Sequence, residues 1–262
     1  MLIPIALSVS LASVLQILLW IKSVKDTNAG WVDFGWSSGM SISAFVILLT
    51  SDFSLRAWVV SGILLFWSGR LASHILFDRL LKTKEEDTRY QNLRKHWGES
   101  ANRNFFWFFL GQALLVALFM IPALVASGAS GASGAFPSLV DVLGIAVAFL
   151  AISGEALADH QLAGFRGDPS TKGQVCKRGF WRYSRHPNYF FEWVHWFGYV
   201  LLGLGSSLWF LTLLGPIFMY VFLRYVTGVP HAERQSLRSR GDAYREYQQT
   251  TSVFFPWIPH KP

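Results

Sequence analysis

The feature that most constrains this chain is a series of long apolar runs, since a helix needs roughly 20 mostly apolar residues to cross about 30 Å of hydrocarbon. Seven segments qualify or nearly so, at about Ile3–Ile21, Trp31–Thr50, Ala57–Phe77, Phe105–Ala126, Leu139–His160, Tyr189–Gly203 and Leu208–Tyr225. The sixth is short and polar at its start. The fold expected is all-α, a polytopic integral membrane protein with seven transmembrane helices. With 12 Trp and 22 Phe the chain is rich in the rings that settle at headgroup level on either side of a bilayer. The first run, Leu2 to Trp20, has no basic stretch before it and no small-residue cleavage site after it, so we read it as a retained helix. A lone cysteine, Cys176, leaves neither an intramolecular disulfide nor a thiolate metal cage, and no metal site is expected.

The formal net charge of +7 does not point to nucleic acid, because Lys and Arg are distributed by loop. The connections Lys22–Thr27, Arg79–Asn104 and Gln161–Asn188, with the tail after Tyr225, hold nearly all of them, while Ser51–Arg56, Ser127–Ser138 and Gly205–Ser207 contribute only Arg56. That alternation places the N-terminus outside and the C-terminus in the cytoplasm, with the lipid bilayer as the first partner. The connection Ser127–Ser138, with Gly128, Gly131 and Gly134, reads as a flexible linker.

Ionisable groups inside spans cost about 2.5–3.5 kcal/mol each on insertion scales, so their clustering carries information. Asp33 opens the second run. Arg70, His74 and Asp78 share one face of the third, Glu155 and Asp159 one face of the fifth, and Asn188, Glu192 and His195 one face of the sixth. Two readings stay open. The groups can neutralise one another between helices, Arg70 with Glu155 or Glu192, or they can line a polar cavity, which suits a transporter or channel as well as an enzyme.

Beyond these, Arg166, Lys172, Lys177, Arg178, Arg182 and Arg185 lie in one connection and Arg234, Arg238, Arg240 and Arg245 in the tail. Basic cytoplasmic loops are what topology demands. Their interleaving with Trp, Tyr, Asn and carboxylates is not, and it points to a phosphate-bearing ligand. There is no Gly-x-Gly-x-x-Gly turn, Walker sequence, His-Glu-x-x-His, Cys-x-x-Cys or Gly-x-Ser-x-Gly elbow. Any cofactor site must therefore be built from helices and their loops.

The run Arg178-Gly179-Phe180-Trp181-Arg182-Tyr183-Ser184-Arg185-His186-Pro187-Asn188-Tyr189-Phe190-Phe191-Glu192-Trp193, followed by Trp196, Gly198 and Tyr199, resembles the C-terminal signature of the steroid 5α-reductase superfamily. The Arg-His-Pro variant, with Asn28, Asp33 and Trp36 near the start, looks like its bacterial branch. The resemblance implies a seven-helix NADPH-dependent membrane enzyme, one membrane domain over 1–262, with 1–126 on the substrate side and 139–262 binding NADPH. It implies cofactor contacts at Asn188, Glu192, Asp159, Arg166 and Arg178, with Tyr244 and Tyr247 as an aromatic pair before Pro256. Arg70, Glu155, Arg185, His186 and Glu233 join Tyr244 in the candidate cofactor set. The carboxylate and tyrosine that hold the steroid carbonyl in the animal enzymes have no clean counterpart here. Asp33 is the nearest carboxylate and His74 the nearest donor on the third helix.

The implied chemistry saturates the double bond of a lipophilic enone such as a 3-oxo-Δ4 steroid, and it asks for donors at the carbonyl oxygen. Asp33, His74 and Tyr90 are the candidates, with Glu192 counted among the catalytic groups as well, and a monomer suffices. The alternative is an S-adenosylmethionine-dependent membrane methyltransferase of the isoprenylcysteine or phospholipid type, which shares Arg185–Tyr189, Glu233 and the Tyr244–Tyr247 pair. The Asn-Tyr-Phe-x-Glu-Trp continuation and the larger helix count favour the reductase.

Overall fold

A computed structural model describes residues 1–82, 85–129, 131 and 135–260, and among these every regular element is helical. In order they are α1 (Leu2–Asp26), α2 (Trp31–Thr50), α3 (Leu55–His74), α4 (Thr88–Trp97), α5 (Ala101–Ala126), α6 (Leu139–Gly167), α7 (Pro187–Gly203), α8 (Leu214–Val221) and α9 (Val229–Thr250). Helix α3 runs on through wide turns over Ile75–Leu81, and α8 through Phe222–Val226. Among the described residues six helical segments are long and apolar enough to cross a membrane. At 17 residues α7 is about 25 Å long, short of the hydrocarbon thickness. The chain is an integral multi-pass membrane protein. Gly134 of the glycine series lies outside the described residues.

Two compact units divide the chain, Met1–Asp141 with Tyr199–Leu214, and Val142–Gly198 with Gly215–Pro262. In the first unit α1 has the polarity of a membrane helix, apolar outward and small or polar inward. Leu7, Leu11, Val14, Leu18 and Ile21 form an exposed stripe, while Ser8, Ala12, Gln16, Leu19 and Ser23 are buried. Helix α1 packs along α2 and α5, and α2 along α3. Small residues set the approach: a Cβ on Gly35 would lie 2.5 Å from Gln16, and one on Gly39 would lie 2.8 Å from Val116. Ser41 and Ser68 share a 2.8 Å hydrogen bond from α2 to α3, and Trp36 meets Trp67 and Phe119 edge to face.

The same unit explains Arg56. Its guanidinium grips Asp141 at 3.0 and 3.2 Å and donates to the Leu202 carbonyl at 2.6 Å, all in a buried setting. Asp141 also accepts from the Ser138 N–H at 2.8 Å, and Ser138 Oγ accepts from the Asp141 N–H at 3.3 Å, a reciprocal cap on α6. Arg56 is thus a packing residue.

In the second unit α6 and α7 meet through glycine. A Cβ on Gly198 would sit 2.9 Å from the Gly144 carbonyl oxygen, and one on Gly154 would sit 2.6 Å from the Phe191 ring. The segment after α9 folds back on α7 and α8, where Phe254 and Phe255 pack against Trp193 and Tyr220.

Candidate functional site

The second unit holds most of the residues singled out by sequence. Helix α6 does not stop near His160 but continues to Gly167, so Glu155, Asp159, Gln161 and Arg166 ride on one helix. Its last turns hold the Arg-Gly turn in place. Gln161 accepts the Phe180 N–H at 2.9 Å, and the Ala158 carbonyl accepts the Trp181 indole N–H at 2.9 Å. Gly179 has φ +58° and any Cβ there would lie 2.4 Å from the Gln161 carboxamide, so only glycine serves. The turn leaves Arg178 exposed, its guanidinium 5.7 Å from the Phe165 ring centroid, and Arg166 and Arg182 are exposed too.

The Arg-His-Pro sequence forms a hub. Arg185 donates to both oxygens of Glu233, at 2.7 and 3.2 Å, and its remaining arm donates to the carbonyls of Gln248 and Thr251, at 2.8 and 2.9 Å. Glu233 further accepts from the Tyr244 hydroxyl at 3.0 Å and the Gln248 carboxamide at 2.5 Å, and His186 Nε2 lies 3.2 Å from it. Tyr247 donates to the Trp181 carbonyl from the next turn of α9. Helix α9 bends at Gly241, where φ is 51°.

In the candidate span Trp209–Thr250 the apolar residues run to Val226, and α9 beyond them carries four arginines, a composition that suits the aqueous side. Burial disfavours ionised Glu233, but hydrogen bonds from His186, Arg185 and Gln248 with the charge of Arg185 outweigh it and hold its pKa at about 2. Burial pulls the His186 imidazole below its ordinary range against the attraction of Glu233. A neutral His186 beside a carboxylate must carry its proton on Nε2. Burial likewise raises the Tyr244 phenol and the Cys176 thiol.

Next to the hub, Asn188 donates from its carboxamide to Asp159 at 3.0 Å, linking the start of α7 to α6. Its oxygen accepts the Tyr189 N–H at 3.0 Å. Glu192, one turn further along α7, and Glu155 on α6 are both buried. Behind the hub a pocket of about 430 Å³ is lined by Arg185, Gln248, Ser252, Trp257 and His260 among others.

The first unit holds Asp33, His74, Tyr90 and Arg70. The buried Tyr90 hydroxyl donates to Asp33 at 2.7 Å, and Arg89 donates to the other Asp33 oxygen at 2.8 Å. Helix α4 is clasped to the α1–α2 corner beside them, where Glu86 accepts the Ala29 N–H at 2.8 Å and is gripped by Arg94 at 2.7 and 3.1 Å. His74 is exposed and pairs with Asp78 on its own helix at 3.0 Å. Asp33 and Tyr90 are thus brought together, while His74 has a different partner. Asp33 accepts at both oxygens and is not the donor expected from sequence.

Sequence reasoning missed Gln248, Gln161, Glu86 and the role of Arg89. Gln248 stands four residues after Tyr244, the spacing of one helix face, which was the available signal. Gln161 lies beyond the apolar run, where nothing local marks that α6 continues to Gly167.

No curated protein and no solved structure matches the chain. The family model described as protein of unknown function (DUF1295) matches residues 19–251. That match runs from the end of α1 to the close of α9 and takes in both units, so the chain belongs to the DUF1295 family.

Proposed function

We propose that this chain is a membrane-embedded, NADPH-dependent reductase of the steroid 5α-reductase type, acting on the carbon–carbon double bond of a lipophilic enone. The observation that carries the reading is the Asn188–Asp159 hydrogen bond. Two residues that the resemblance assigns to the cofactor, 29 positions apart, meet at the α6–α7 junction, with the buried Glu192 one turn away. The residues present fit a dinucleotide phosphate. Arg166 in the last turn of α6 and Arg178 beside Phe165 of that turn are exposed cations suited to phosphate oxygens, and the Asn188 carboxamide suits a nicotinamide amide. Arg185 and Glu233 have a different part, since nearly every donor and acceptor they own is spent within the hub. They position α9 and the Arg-His-Pro corner.

When bound, NADPH supplies the hydride. The protein's part at the substrate is electrostatic, and Tyr90 is the donor best supported. The single O–H of Tyr90 is given to Asp33 here, so donating to a carbonyl oxygen requires it to turn from Asp33, which Arg89 keeps paired; removal of one such donor costs on the order of 100–1000-fold in rate. Seven spans, with α7 completed by its flanking turns, an outside N-terminus and a location in the bacterial inner membrane complete the proposal.

The test is binding and product analysis on purified protein. NADPH should bind, Arg166→Ala and Arg178→Ala should each weaken it by about tenfold to a hundredfold, the equivalent of roughly 1.5–3 kcal/mol for a charge-assisted hydrogen bond, and deuterium from labelled NADPH should reach the β carbon of an enone. Unchanged affinity in both variants overturns the phosphate assignment. The methyltransferase reading is kept by the hub itself, since Arg185, His186, Glu233 and Tyr244 are the residues shared with that class and they do meet. Bound S-adenosylmethionine in place of NADPH would select it.

A further inference from the structure

The segment after α9 is pinned along its backbone yet leaves large apolar side chains bare. The Arg185 N–H donates to the Ser252 carbonyl at 2.8 Å, the Trp257 N–H to the Tyr183 carbonyl at 2.9 Å, and the His260 N–H to the Thr250 carbonyl at 2.9 Å. The Ser184 hydroxyl donates to the Phe254 carbonyl at 2.9 Å. A segment tied at four points has little freedom to tuck its side chains away. Even so, Trp257 is 68% exposed and Ile258 76%, with Phe255 and Tyr183 exposed beside them. Scattered apolar residues on a surface need no account, but a contiguous rigid set does.

Its position supplies the account. Phe255 stacks on Tyr220 at 5.9 Å between centroids, and Phe254 meets the same ring edge to face at 5.2 Å. Tyr220 lies in α8, within the apolar stretch of the last spanning segment, and Tyr225 and Val226 at the end of that stretch are exposed as well. The pinned segment therefore stands level with the point where the span leaves the hydrocarbon. Trp and Tyr rings favour that depth, because they pair an apolar body with a polar edge. Two cations flank the patch, Arg224 at 5.0 Å from the Tyr225 ring and Arg182 at 5.9 Å from the Tyr183 ring, placed for lipid phosphates.

We infer that the segment Phe255–Ile258, with Tyr183 and Tyr225, is an interfacial anchor that seats in the lipid headgroup layer on the side of the membrane where α9 lies. The bilayer is its occupant. The anchor fixes the hub as well, since Thr251 and Ser252, which bind Arg185, lie a few residues before it.

The experiment uses the full chain with Cys176→Ser, a nitroxide placed at Ile258→Cys or, separately, Trp257→Cys, and reconstitution into phosphatidylcholine/phosphatidylglycerol vesicles. Collision with oxygen, which partitions into lipid, is compared with collision with a water-soluble nickel chelate, using Arg238→Cys on the exposed face of α9 as reference. The oxygen-to-nickel ratio at both anchor positions should exceed the reference several-fold, and should fall to the reference value when lipid is exchanged for a short-chain detergent. A ratio equal to the reference in vesicles overturns the inference. Spin–spin broadening that grows with protein-to-lipid ratio also overturns it, because a second copy would then be the occupant. None of these readouts depends on which nucleotide the protein binds.

Discussion

Glu233 is the residue on which most of the second unit's polar order converges, and it offers the sharpest tests. Changing it to Gln keeps the shape but leaves Arg185 facing a neutral group, and breaking a buried pair from one side costs roughly 3–5 kcal/mol. With side chains 10% and 14% exposed, this pair belongs at the lower end of that range. Thermal unfolding in detergent checks it, and Arg185→Ala should cost at least as much. Acid should act in two phases. The His186 pKa is depressed below the ordinary 6.5, so the folded state takes up its proton less readily than the unfolded chain and stability begins to fall as pH drops below 6.5. Glu233 is depressed from 4.5 to about 2, so its contribution is full above 4.5 and is lost between there and about 2. His186→Gln should remove the first phase and leave the second, as read from unfolding midpoints against pH. Asp33 and Tyr90 form the corresponding pair in the first unit. Tyr90→Phe should lower turnover on the order of 100-fold or more with NADPH affinity nearly unchanged, the pattern of an interaction made mainly in the transition state. The sequence named Arg185, His186, Glu233 and Tyr244 as one set. It could not reveal that Glu233 is saturated by its neighbours, because hydrogen-bond occupancy depends on a helix 40-odd residues downstream folding back.

At the scale of elements, glycine sorts into two kinds that look alike in sequence. Gly198 and Gly62 both sit inside apolar helices. A Cβ on Gly198 would press to 2.9 Å against a backbone carbonyl of α6, whereas one on Gly62 meets nothing within 4 Å. Gly62→Ala should therefore be neutral or stabilising by up to about 1 kcal/mol through helix propensity. Gly198→Ala should cost about 1–3 kcal/mol, since the α6–α7 crossing must open to admit it. Comparing the two unfolding midpoints separates packing from propensity. The connection Arg79–Asn104 shows the same limit. Its charges fit a solvated surface helix equally well, and only the fold discloses that Glu86 and Tyr90 turn inward, toward Ala29 and Asp33. Nothing local in Glu86-Asp87-Thr88-Arg89-Tyr90 marks which of its charged residues turns inward.

At the scale of the molecule, the proposed topology predicts that single cysteines at Asp52→Cys and Ser239→Cys, in a Cys176→Ser background, react with a membrane-impermeant maleimide from opposite sides of the bilayer; labelling from one side would refute seven spans. The all-helical character and the membrane setting were legible from residues alone, whereas of the seven apolar runs only six helical segments among the described residues are long and apolar enough to cross a membrane. The reason is physical: without water, each backbone polar group must be satisfied within its own helix, so a long apolar run has one solution whatever its neighbours do. The Arg178–Glu192 run was legible too, because its glycine and proline answer to local backbone geometry. Only tertiary structure decided the rest. It turned Arg56 from an exception in the charge pattern into the buried partner of Asp141, 85 residues away. It joined Asp33 to Tyr90 and left His74 with Asp78. It divided the basic residues into those spent on the hub and those left exposed. Ion pairs and hydrogen bonds between distant segments are chosen by which helices pack, and packing among apolar helices is set by small differences in side-chain shape that no single stretch of sequence contains.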